Sequence, residues 1–291
     1  AKAMFTNRRA KNDFKERIAI FCPAEYEREV AFHRTLTEFQ YALSNGRITY
    51  YLQPQVDMET GKIIGAEALT RWIDKDGSLI SPATFIPALE ESGFVVTLDK
   101  YNKYIWQGVA IWLRERLDRG LRVVPVSLNV SRVDILACDV AEHMGALAAQ
   151  YNLPPELMRI EITETAYTGE SEAVDKLTAD LHTRGFSTYM DDFGTGQSTL
   201  AMLKNVNVDV IKLDRTFVPV DGDRGRSAQI VSSMLEMAQS LHLPVVIEGI
   251  ETNEQANMLR HMGARYAQGF LYYRPMQAND FEALLDGGNN N

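Results

Sequence analysis

The sequence predicts an α/β fold, and within that class a (β/α)8 barrel of the TIM type. Apolar runs rich in β-branched residues alternate along the chain with amphipathic helical stretches, which indicates a mainly parallel sheet. Eight such runs occur in a chain of 291 residues, and a closed eight-stranded barrel typically needs about 250 residues. Most of these runs end in polar or charged residues, as expected where parallel strands open onto one active-site mouth.

The composition is that of an ordinary globular protein, with 45% hydrophobic residues, 24% charged residues and a formal net charge of −9. This acidic balance argues against a nucleic-acid duplex as partner, because such binding needs a basic surface. The two cysteines, Cys22 and Cys138, suggest no disulfide framework and indicate a reducing, cytoplasmic setting. The apolar runs are far shorter than the roughly 18 residues of a membrane span, so we expect no membrane contact from this segment.

Three regions are predicted along the chain. Residues 1–32 read as a linker or helix, since the first 17 residues carry six basic and two acidic side chains. Residues 33–285 hold the alternating units of the barrel. Residues 286–291 end in Gly-Gly-Asn-Asn-Asn, a composition that predicts a disordered tail.

Each predicted strand is a short apolar run bounded by polar or turn residues, and the first two are joined by a turn at residues 59–61. The eight predicted strands are 48–53, 63–69, 123–130, 158–163, 187–190, 208–213, 243–247 and 267–271.

Capping residues set the helix boundaries. Ser81 suits an N-cap, Pro82 suits the first helical position, and Gly185 and Gly263 stand where helix C-caps belong. The predicted helices are 35–44, 81–93, 98–119, 133–151, 171–184, 224–241 and 254–262.

Polar residues at the ends of these strands should converge at one mouth of the barrel. Five carboxylates gathered there would repel one another and raise each other's pKa unless cations were bound. All candidate ligands are hard oxygen donors, which suit Mg²⁺ or Mn²⁺. None of the five histidines stands at a predicted strand end, so a histidine-based zinc site is not expected. The converging residues are Glu67, Asn129, Glu161, Asp191, Asp192, Lys212 and Glu248.

Each of these residues has an ordinary structural explanation when it is considered alone. Glu67 is explained as an exposed acid, and Asn129 is explained as a turn residue. The consecutive pair Asp191-Asp192 also suits a turn, and Lys212 is explained as a strand side chain that extends to solvent. Gln268 suits a partner of neighbouring backbone. These separate explanations become weaker because a single barrel topology would place all of these residues at one rim of the barrel.

The motifs in their order and spacing resemble the EAL family of cyclic di-GMP phosphodiesterases over about residues 36–285. The motifs that carry this resemblance are QPQ at 53–55, EALTR at 67–71, LNVS at 128–131, EITE at 161–164, DDFGTG at 191–196, IKLD at 211–214, EGIE at 248–251 and QGF at 268–270.

The resemblance implies roles for individual residues. Lys212 would hold or deprotonate the attacking water, and Gln268 would position water or a ligand. Glu67 and Glu248 would be the other catalytic groups. Glu164 would anchor the loop 193–200, which is tied to dimerisation in the family. The implied metal ligands are Glu67, Asn129, Glu161, Asp191, Asp192 and Glu248, with Asp191 bridging two ions. The implied substrate contacts are Gln53, Leu69, Arg71 and Asp214.

The resemblance also implies a barrel whose first strand is antiparallel to the others, two Mg²⁺ or Mn²⁺ ions per site, inhibition by Ca²⁺ and a homodimer formed through the barrel. The reaction would be hydrolysis of cyclic di-GMP to linear pGpG. The segment KAMF at residues 2–5 resembles the last helix of a GGDEF domain. We therefore expect upstream GGDEF or sensor domains in a longer bacterial protein, which could also anchor it to a membrane.

Two alternatives stay open at this stage. A catalytically silent receptor for cyclic di-GMP would have lost ligands, and the loop departs from the common family pattern at Gln197 and Thr199 while every expected ligand is present. An enolase-type barrel enzyme also uses acids and lysine at strand ends, but a single metal triad leaves the pair Asp191-Asp192 unexplained.

Overall fold

The computed structural model describes residues 22–91, 95–169, 171–195, 207–218 and 225–287. The predicted linker up to residue 21 with its KAMF motif, residues 196–200 of the predicted loop and the last four residues lie outside this described part.

The chain divides into two compact units. One comprises Ala1–Ile48 with Arg71–Thr97, and the other comprises Thr49–Thr70 with Leu98–Asn291. The candidate site described below belongs to the second, larger unit.

The smaller unit is built around three aromatic side chains. Phe39, Trp72 and Phe85 are at most 2% exposed, and their ring centroids lie 5.5 or 5.6 Å apart. Such ring pairs bury large apolar areas and favour edge-to-face or offset contacts. The described elements of this unit are α1 (Pro23–Ser44), α2 (Pro82–Glu91) and the short strand β3 (Leu79–Ile80), which pairs antiparallel with the end of β2 (Ile63–Ile73).

The larger unit contains a closed eight-stranded barrel within its described residues, so the predicted fold class is confirmed. The first strand, β1, pairs with both β2 and β9, which closes the sheet. It runs antiparallel to β9. The neighbouring strands in the order β2, β4, β5, β6, β7, β8 and β9 are parallel to one another. Around the barrel the strands are β1 (Ile48–Asp57), β9 (Tyr266–Ala267), β8 (Val245–Ile247), β7 (Val210–Leu213), β6 (Ser187–Phe193), β5 (Met158–Thr163), β4 (Val126–Val130) and β2.

The longer helices between the strands bury apolar residues along one face. In α8, for example, Ala228, Val231, Leu235 and Ala238 are buried, a spacing of three or four residues that places them along one side of a helix. The described helices of this unit are α3 (Val95–Asp118), α4 (Arg132–Ala137), α5 (Val140–Gln150), α6 (Glu164–Gly169), α7 (Ser171–Thr183), α8 (Arg226–Ser240), α9 (Asn253–His261) and α10 (Ala278–Gly287).

The predicted single helix 133–151 is wrong, because two separate helices form there. Ser131 and Asp134 make a capping box that starts α4, and Asp139 accepts a hydrogen bond from the backbone N–H of Glu142 to start α5. Two side-chain caps eight residues apart satisfy two sets of unpaired N–H groups and therefore define two helix starts.

Other boundaries differ at the ends of elements. Helix α1 begins at Pro23 instead of residue 35, so the predicted boundary after residue 32 falls within a continuous helix. Strand β9 is limited to Tyr266–Ala267, because the chain turns after it. Helix α10 extends to Gly287, two residues into the predicted disordered tail. Gly185 and Gly263 have φ of +86° and +92°, as their predicted C-cap positions require.

In the part of the chain that the structure describes, no helix combines the length and the apolar character needed to cross a bilayer.

Candidate active site

Strand register gathers the predicted polar residues at the carboxyl end of the barrel. Glu161 on β5 is paired with Asn129 on β4. Thr163, two residues after Glu161, is paired with Asp191 on β6. Since the carboxyl ends of parallel strands open on the same side, the polar ends of neighbouring strands meet there.

The ammonium group of Lys212 lies at the centre of this group. Its Nζ is 2.7 Å from Glu161 Oε2 and 2.7 Å from Glu248 Oε1. The same atom is 3.0 Å from Asp191 Oδ1 and 3.2 Å from Glu67 Oε2. Lys212 is fully buried, so it does not extend to solvent, and the ordinary explanation for a strand lysine does not apply.

The positive charge of Lys212 is too small to balance its neighbours. Four carboxylates surround one ammonium group, and buried charges are stable only when they are compensated. One carboxylate oxygen, Glu161 Oε1, is buried and accepts no hydrogen bond within the described part of the chain. Burial, together with the charges of Glu67 and Asp191, raises the pKa of Glu161 well above its ordinary value despite the opposing effect of Lys212, so a bound cation would favour the ionised form of this carboxylate.

Burial and the surplus of negative charge together raise several pKa values. Burial, together with the charges of Asp191 and Glu67, raises the pKa of Glu248 to about 8 despite the opposing effect of Lys212. Burial and the nearby charges of Asp191 and Asp214 raise the pKa of Asp192 to about 6. Protons and metal ions therefore compete for these carboxylates.

Glu67 differs from its neighbours because it has more hydrogen-bond donors. Burial alone would raise its pKa, but the charge of Lys212 and hydrogen bonds from Asn129 and Gln268 outweigh burial, and the pKa is lowered. Asn129 Nδ2 donates to Glu67 Oε1 at 2.9 Å, and Gln268 Nε2 donates to Glu67 Oε2 at 2.6 Å. Glu67 is thus held in its ionised form.

Two groups of carboxylates have the spacing of a metal site. One consists of Glu67, Glu161 and Asp191, and the other of Asp191, Asp192 and Glu248, with all ligand atoms of a group within 4.8 Å of one another. Asp191 belongs to both groups, so its carboxylate is common to the two candidate metal sites.

An irregularity in β6 allows two consecutive aspartates to serve one site. Neighbouring residues in a regular strand face opposite sides of the sheet. The pairing of β6 with β7 shifts between Met190 and Phe193, and Asp192 has a left-handed φ of 56°. A bulge of this kind re-aims side chains, and strained backbone concentrates at functional sites.

An open cleft of about 350 Å³ lies above the carboxylates. Eight predicted site residues line it: Gln53, Glu67, Leu69, Asp191, Asp192, Asp214, Glu248 and Gln268. The predicted residues Asn129, Glu161 and Lys212 do not line the cleft. Asn129 contacts Glu67, Lys212 contacts Glu67 and Asp191, and Glu161 contacts Lys212.

Two other predicted residues have different places. Glu164 is fully buried, and its Oε2 accepts a hydrogen bond of 2.6 Å from the backbone N–H of Gly194. This bond ties the segment that follows Asp192 to the start of α6. Arg71 is the fourth residue after Glu67 on β2 and belongs to the smaller unit, so its substrate contact stays a prediction.

Sequence reasoning missed five residues that line the cleft. These are Arg215, Gly249, Glu251, Gly269 and Phe270. Of these, Phe270 gave a signal in the sequence, because it belongs to the QGF motif. In the structure its large apolar side chain is 46% exposed. The guanidinium of Arg274 lies 4.3 Å from its ring centroid, so Phe270 forms a cation–π pair at the edge of the cleft.

The histidines lie away from the candidate metal groups. His33, His143, His182 and His261 are in helices, and His242 occupies a left-handed turn position after α8, outside the predicted helix.

Comparison with known proteins identifies relatives of the chain. The family model described as the EAL domain matches residues 36–275. PdeB of Escherichia coli, named as a probable cyclic di-GMP phosphodiesterase, is 33% identical over 247 residues, which cover 83% of this chain and 45% of that protein. RocR of Pseudomonas aeruginosa, named as a cyclic di-GMP phosphodiesterase, is 32% identical over 261 residues, which cover 89% of this chain and 65% of that protein.

A solved structure described as the PaMucR phosphodiesterase in complex with c-di-GMP matches with a TM-score of 0.79 at 29% identity, covering 85% of this chain and 99% of that one. The chain spans less than two thirds of the length of PdeB and of RocR.

Proposed function

Because the chain belongs to the EAL domain family, we propose that it is a metal-dependent phosphodiesterase that hydrolyses cyclic di-GMP to linear pGpG. The observation that carries this proposal is the group of five carboxylates, four of which contact the buried ammonium group of Lys212. The relatives named as cyclic di-GMP phosphodiesterases support the choice of substrate.

The net charge of the site supports binding of two divalent cations. When all five acids are ionised, Glu67, Glu161, Asp191, Asp192 and Glu248 together with the ammonium of Lys212 leave four net negative charges. Two Mg²⁺ or Mn²⁺ ions would neutralise that charge, and these ions prefer oxygen ligands of the kind present here.

The two carboxylate groups divide the ligands between the ions. Glu67, Glu161 and Asp191 would hold one ion, with Glu161 Oε1 as a buried oxygen that accepts no hydrogen bond in the described chain. Asp191, Asp192 and Glu248 would hold the other. Asn129 would complete the first group, and its ligand role remains a prediction because its amide nitrogen donates to Glu67.

When bound, a metal pair supplies an activated water and balances charge on the phosphoryl oxygens. The residues of the chain then position the reactants. Lys212 holds four carboxylates of the site together, and it would hold or deprotonate the attacking water, which helps bring that water to the phosphorus. Gln268 keeps Glu67 in place by donating to its Oε2.

The lining of the cleft offers contacts for a nucleotide. Gln53, Leu69 and Asp214 line its walls and would contact the dinucleotide. The exposed ring of Phe270 offers a surface on which a guanine base would stack, an interaction worth about 1–3 kcal/mol per base. The acidic site repels a dianionic ligand by itself, so the bound cations and Arg71 would supply the local attraction to phosphate.

The test is incubation of the purified chain with cyclic di-GMP and Mg²⁺, Mn²⁺ or Ca²⁺, followed by identification of products by chromatography. We expect pGpG with Mg²⁺ or Mn²⁺ and little product with Ca²⁺. Glu67→Gln should abolish turnover. Glu156→Gln is the matched control, because it removes the same charge from an exposed position before β5.

Binding of cyclic di-GMP without cleavage under all metal conditions would instead identify the chain as a receptor. Turnover by the Glu67→Gln variant at the wild-type rate would contradict the ligand assignment.

Two further family features belong to this proposal. We expect a homodimer formed through the barrel, which light scattering of the purified chain would measure, and upstream GGDEF or sensor domains in a cytoplasmic or membrane-anchored bacterial protein. The length of the chain relative to PdeB and RocR is consistent with additional domains.

A further inference from the structure

A second polar layer lies inside the barrel next to the carboxylates. It contains three glutamine side chains and one guanidinium group. Gln55 is fully buried, Gln268 is 4% exposed and Gln53 is 7% exposed. Buried amides of this kind are stable only when their donors and acceptors are paired, so their hydrogen bonds determine which way each amide faces.

The bonds form a continuous chain from Arg159 to Glu67. Arg159 Nη1 donates to Gln55 Oε1 at 3.3 Å. Gln55 Nε2 donates to Gln268 Oε1 at 3.1 Å. Gln268 Nε2 in turn donates to Glu67 Oε2 at 2.6 Å and to Gln53 Oε1 at 3.1 Å.

The chemistry of the two ends allows only one direction for this chain. A guanidinium group can only donate, and an ionised carboxylate can only accept. Gln55 must therefore turn its oxygen toward Arg159 and its nitrogen toward Gln268. That nitrogen requires the oxygen of Gln268 to face Gln55, which leaves the nitrogen of Gln268 for Glu67.

The backbone around this chain is shaped to admit it. A Cβ at Gly65 would lie 2.5 Å from Arg159 Nη1 and 3.0 Å from Gln55 Oε1, so a larger residue would displace that contact. Arg159 Nη2 also donates to the carbonyl of Ile64 at 3.4 Å. Gln53 Nε2 donates to the carbonyl of Tyr273 at 3.2 Å, which turns the oxygen of Gln53 toward Gln268.

We propose that Gln55, oriented by Arg159, is a positioning residue that fixes the carboxamide of Gln268 with its nitrogen toward Glu67. This inference rests on the proposed role of Glu67 as a metal ligand. If the amide of Gln268 were reversed, its oxygen would face the carboxylate of Glu67 and the oxygen of Gln53. Repulsion would then displace Glu67 from its place in the site.

Two substitutions at one position separate orientation from packing. Gln55→Glu retains the partner of Arg159 but presents only acceptors, so it favours the reversed amide of Gln268. Gln55→Met has a similar shape and no hydrogen bond, so it leaves the amide without a preference. Catalytic rate should fall in the order wild type, Gln55→Met, Gln55→Glu. Thermal stability should place Gln55→Glu above Gln55→Met, because the contact with Arg159 persists in Gln55→Glu and becomes an ion pair.

A double-mutant cycle with Gln268→Met removes the direct effect of the added charge. Mg²⁺ affinity is measured by calorimetry without substrate, and kcat is measured with cyclic di-GMP. With Gln268 present, Gln55→Glu should lower both about tenfold, the usual effect of a residue behind a metal ligand. In the Gln268→Met background, the same change should alter them less than about twofold.

Equal losses in both backgrounds, or matching orders of rate and stability among the variants, would overturn the proposal. The Mg²⁺ titrations also separate it from the proposed function. If the chain binds Mg²⁺ without cleaving cyclic di-GMP, the coupling in metal affinity still tests the role of Gln55.

Discussion

Two clusters of charge on the same barrel have opposite properties. Asp57 at the end of β1 is 4% exposed. It accepts hydrogen bonds from the backbone N–H groups of Glu59 and Thr60 and from Arg265 Nε at 2.9 Å. Burial opposes these bonds, but they outweigh it and lower the pKa of Asp57. At the carboxyl end of the barrel, Lys212 is shared among four acids.

The difference identifies which cluster is structural. The acid of the first cluster has a donor for each oxygen, so it stabilises the fold with no added ion. The second cluster retains surplus negative charge and raised pKa values, so it is stable in ionised form only with added cations. Removing a charge from the first cluster should therefore destabilise the protein. Removing an acid from the second cluster should instead reduce the repulsion among the remaining carboxylates.

The largest effect is expected for Lys212→Met. Removal of the single cation leaves buried carboxylates unpaired, and breaking a buried ion pair in this way typically costs about 3–5 kcal/mol. Urea denaturation in a chelator should show this loss of unfolding free energy, and phosphodiesterase activity should disappear. Stability equal to that of the wild type in chelator would mean that the acids are already protonated in the folded protein.

The next effect is expected for Asp191→Asn, which removes the carboxylate common to both metal groups. Activity should fall more than about 100-fold, beyond the loss that residues behind the ligands produce. Melting temperature in chelator should stay the same or rise, because surplus charge is removed. A large loss of stability in chelator would show that Asp191 has a structural role like that of Asp57.

The stability of the metal-free protein should depend on pH in a direction set by the raised acids. The pKa of Glu248 is raised from 4.5 to about 8, so the folded state retains a proton that the unfolded chain releases. Stability is therefore greatest below about pH 4.5 for this group and falls as pH rises toward 8. Melting curves at several pH values in chelator would measure this fall.

Mg²⁺ should counteract that fall, because an ion that binds only the folded state stabilises it. The increase in melting temperature on adding Mg²⁺ should be larger at pH 8 than at pH 5, where protons compete for the same oxygens. An increase of the same size at both values would contradict competition between protons and metal.

A smaller effect is expected for Glu164→Ala, which removes the acceptor for the backbone N–H of Gly194. The segment after Asp192 would lose a buried anchor, and we expect kcat to fall about tenfold, as for other residues that support metal ligands. Glu164→Gln retains an acceptor oxygen and should restore most of the rate. A rate for Glu164→Gln as low as that for Glu164→Ala would show that the charge, and not the anchor, matters.

The smallest effect is expected for Asp57→Asn at the structural cluster. The change should cost about 1 kcal/mol, the usual net value of such hydrogen bonds, and leave activity unchanged. Because the pKa of Asp57 is lowered, its contribution is present above about pH 4 and is lost as pH falls through the folded-state value. Denaturation curves at pH 7 and pH 3 would compare the two proteins, and a difference that persists at pH 3 would oppose this assignment.

Local patterns predicted most of the fold and most of the members of the site. Strand β5 coincides with the predicted range 158–163, because its apolar run is bounded on both sides. The split of the predicted helix 133–151 was missed, although Ser131 and Asp139 are both good N-caps, because the apolar spacing continues through the break. Arg159 was not singled out, since its partners Gln55 and Ile64 are distant in the sequence.

By itself the sequence determined that strands and helices alternate and that polar residues end the strands. It also determined that acids, which offer hard oxygen donors, share one mouth of the barrel. These are consequences of local periodicity and of barrel topology. Only the tertiary structure decided that Asp191 and Asp192 face one site, that Lys212 is enclosed by four acids, and that Arg159 directs a chain of amides toward Glu67. Those features depend on a bulge and on contacts between distant strands. The two-residue periodicity of side-chain direction along a strand predicts neither of them.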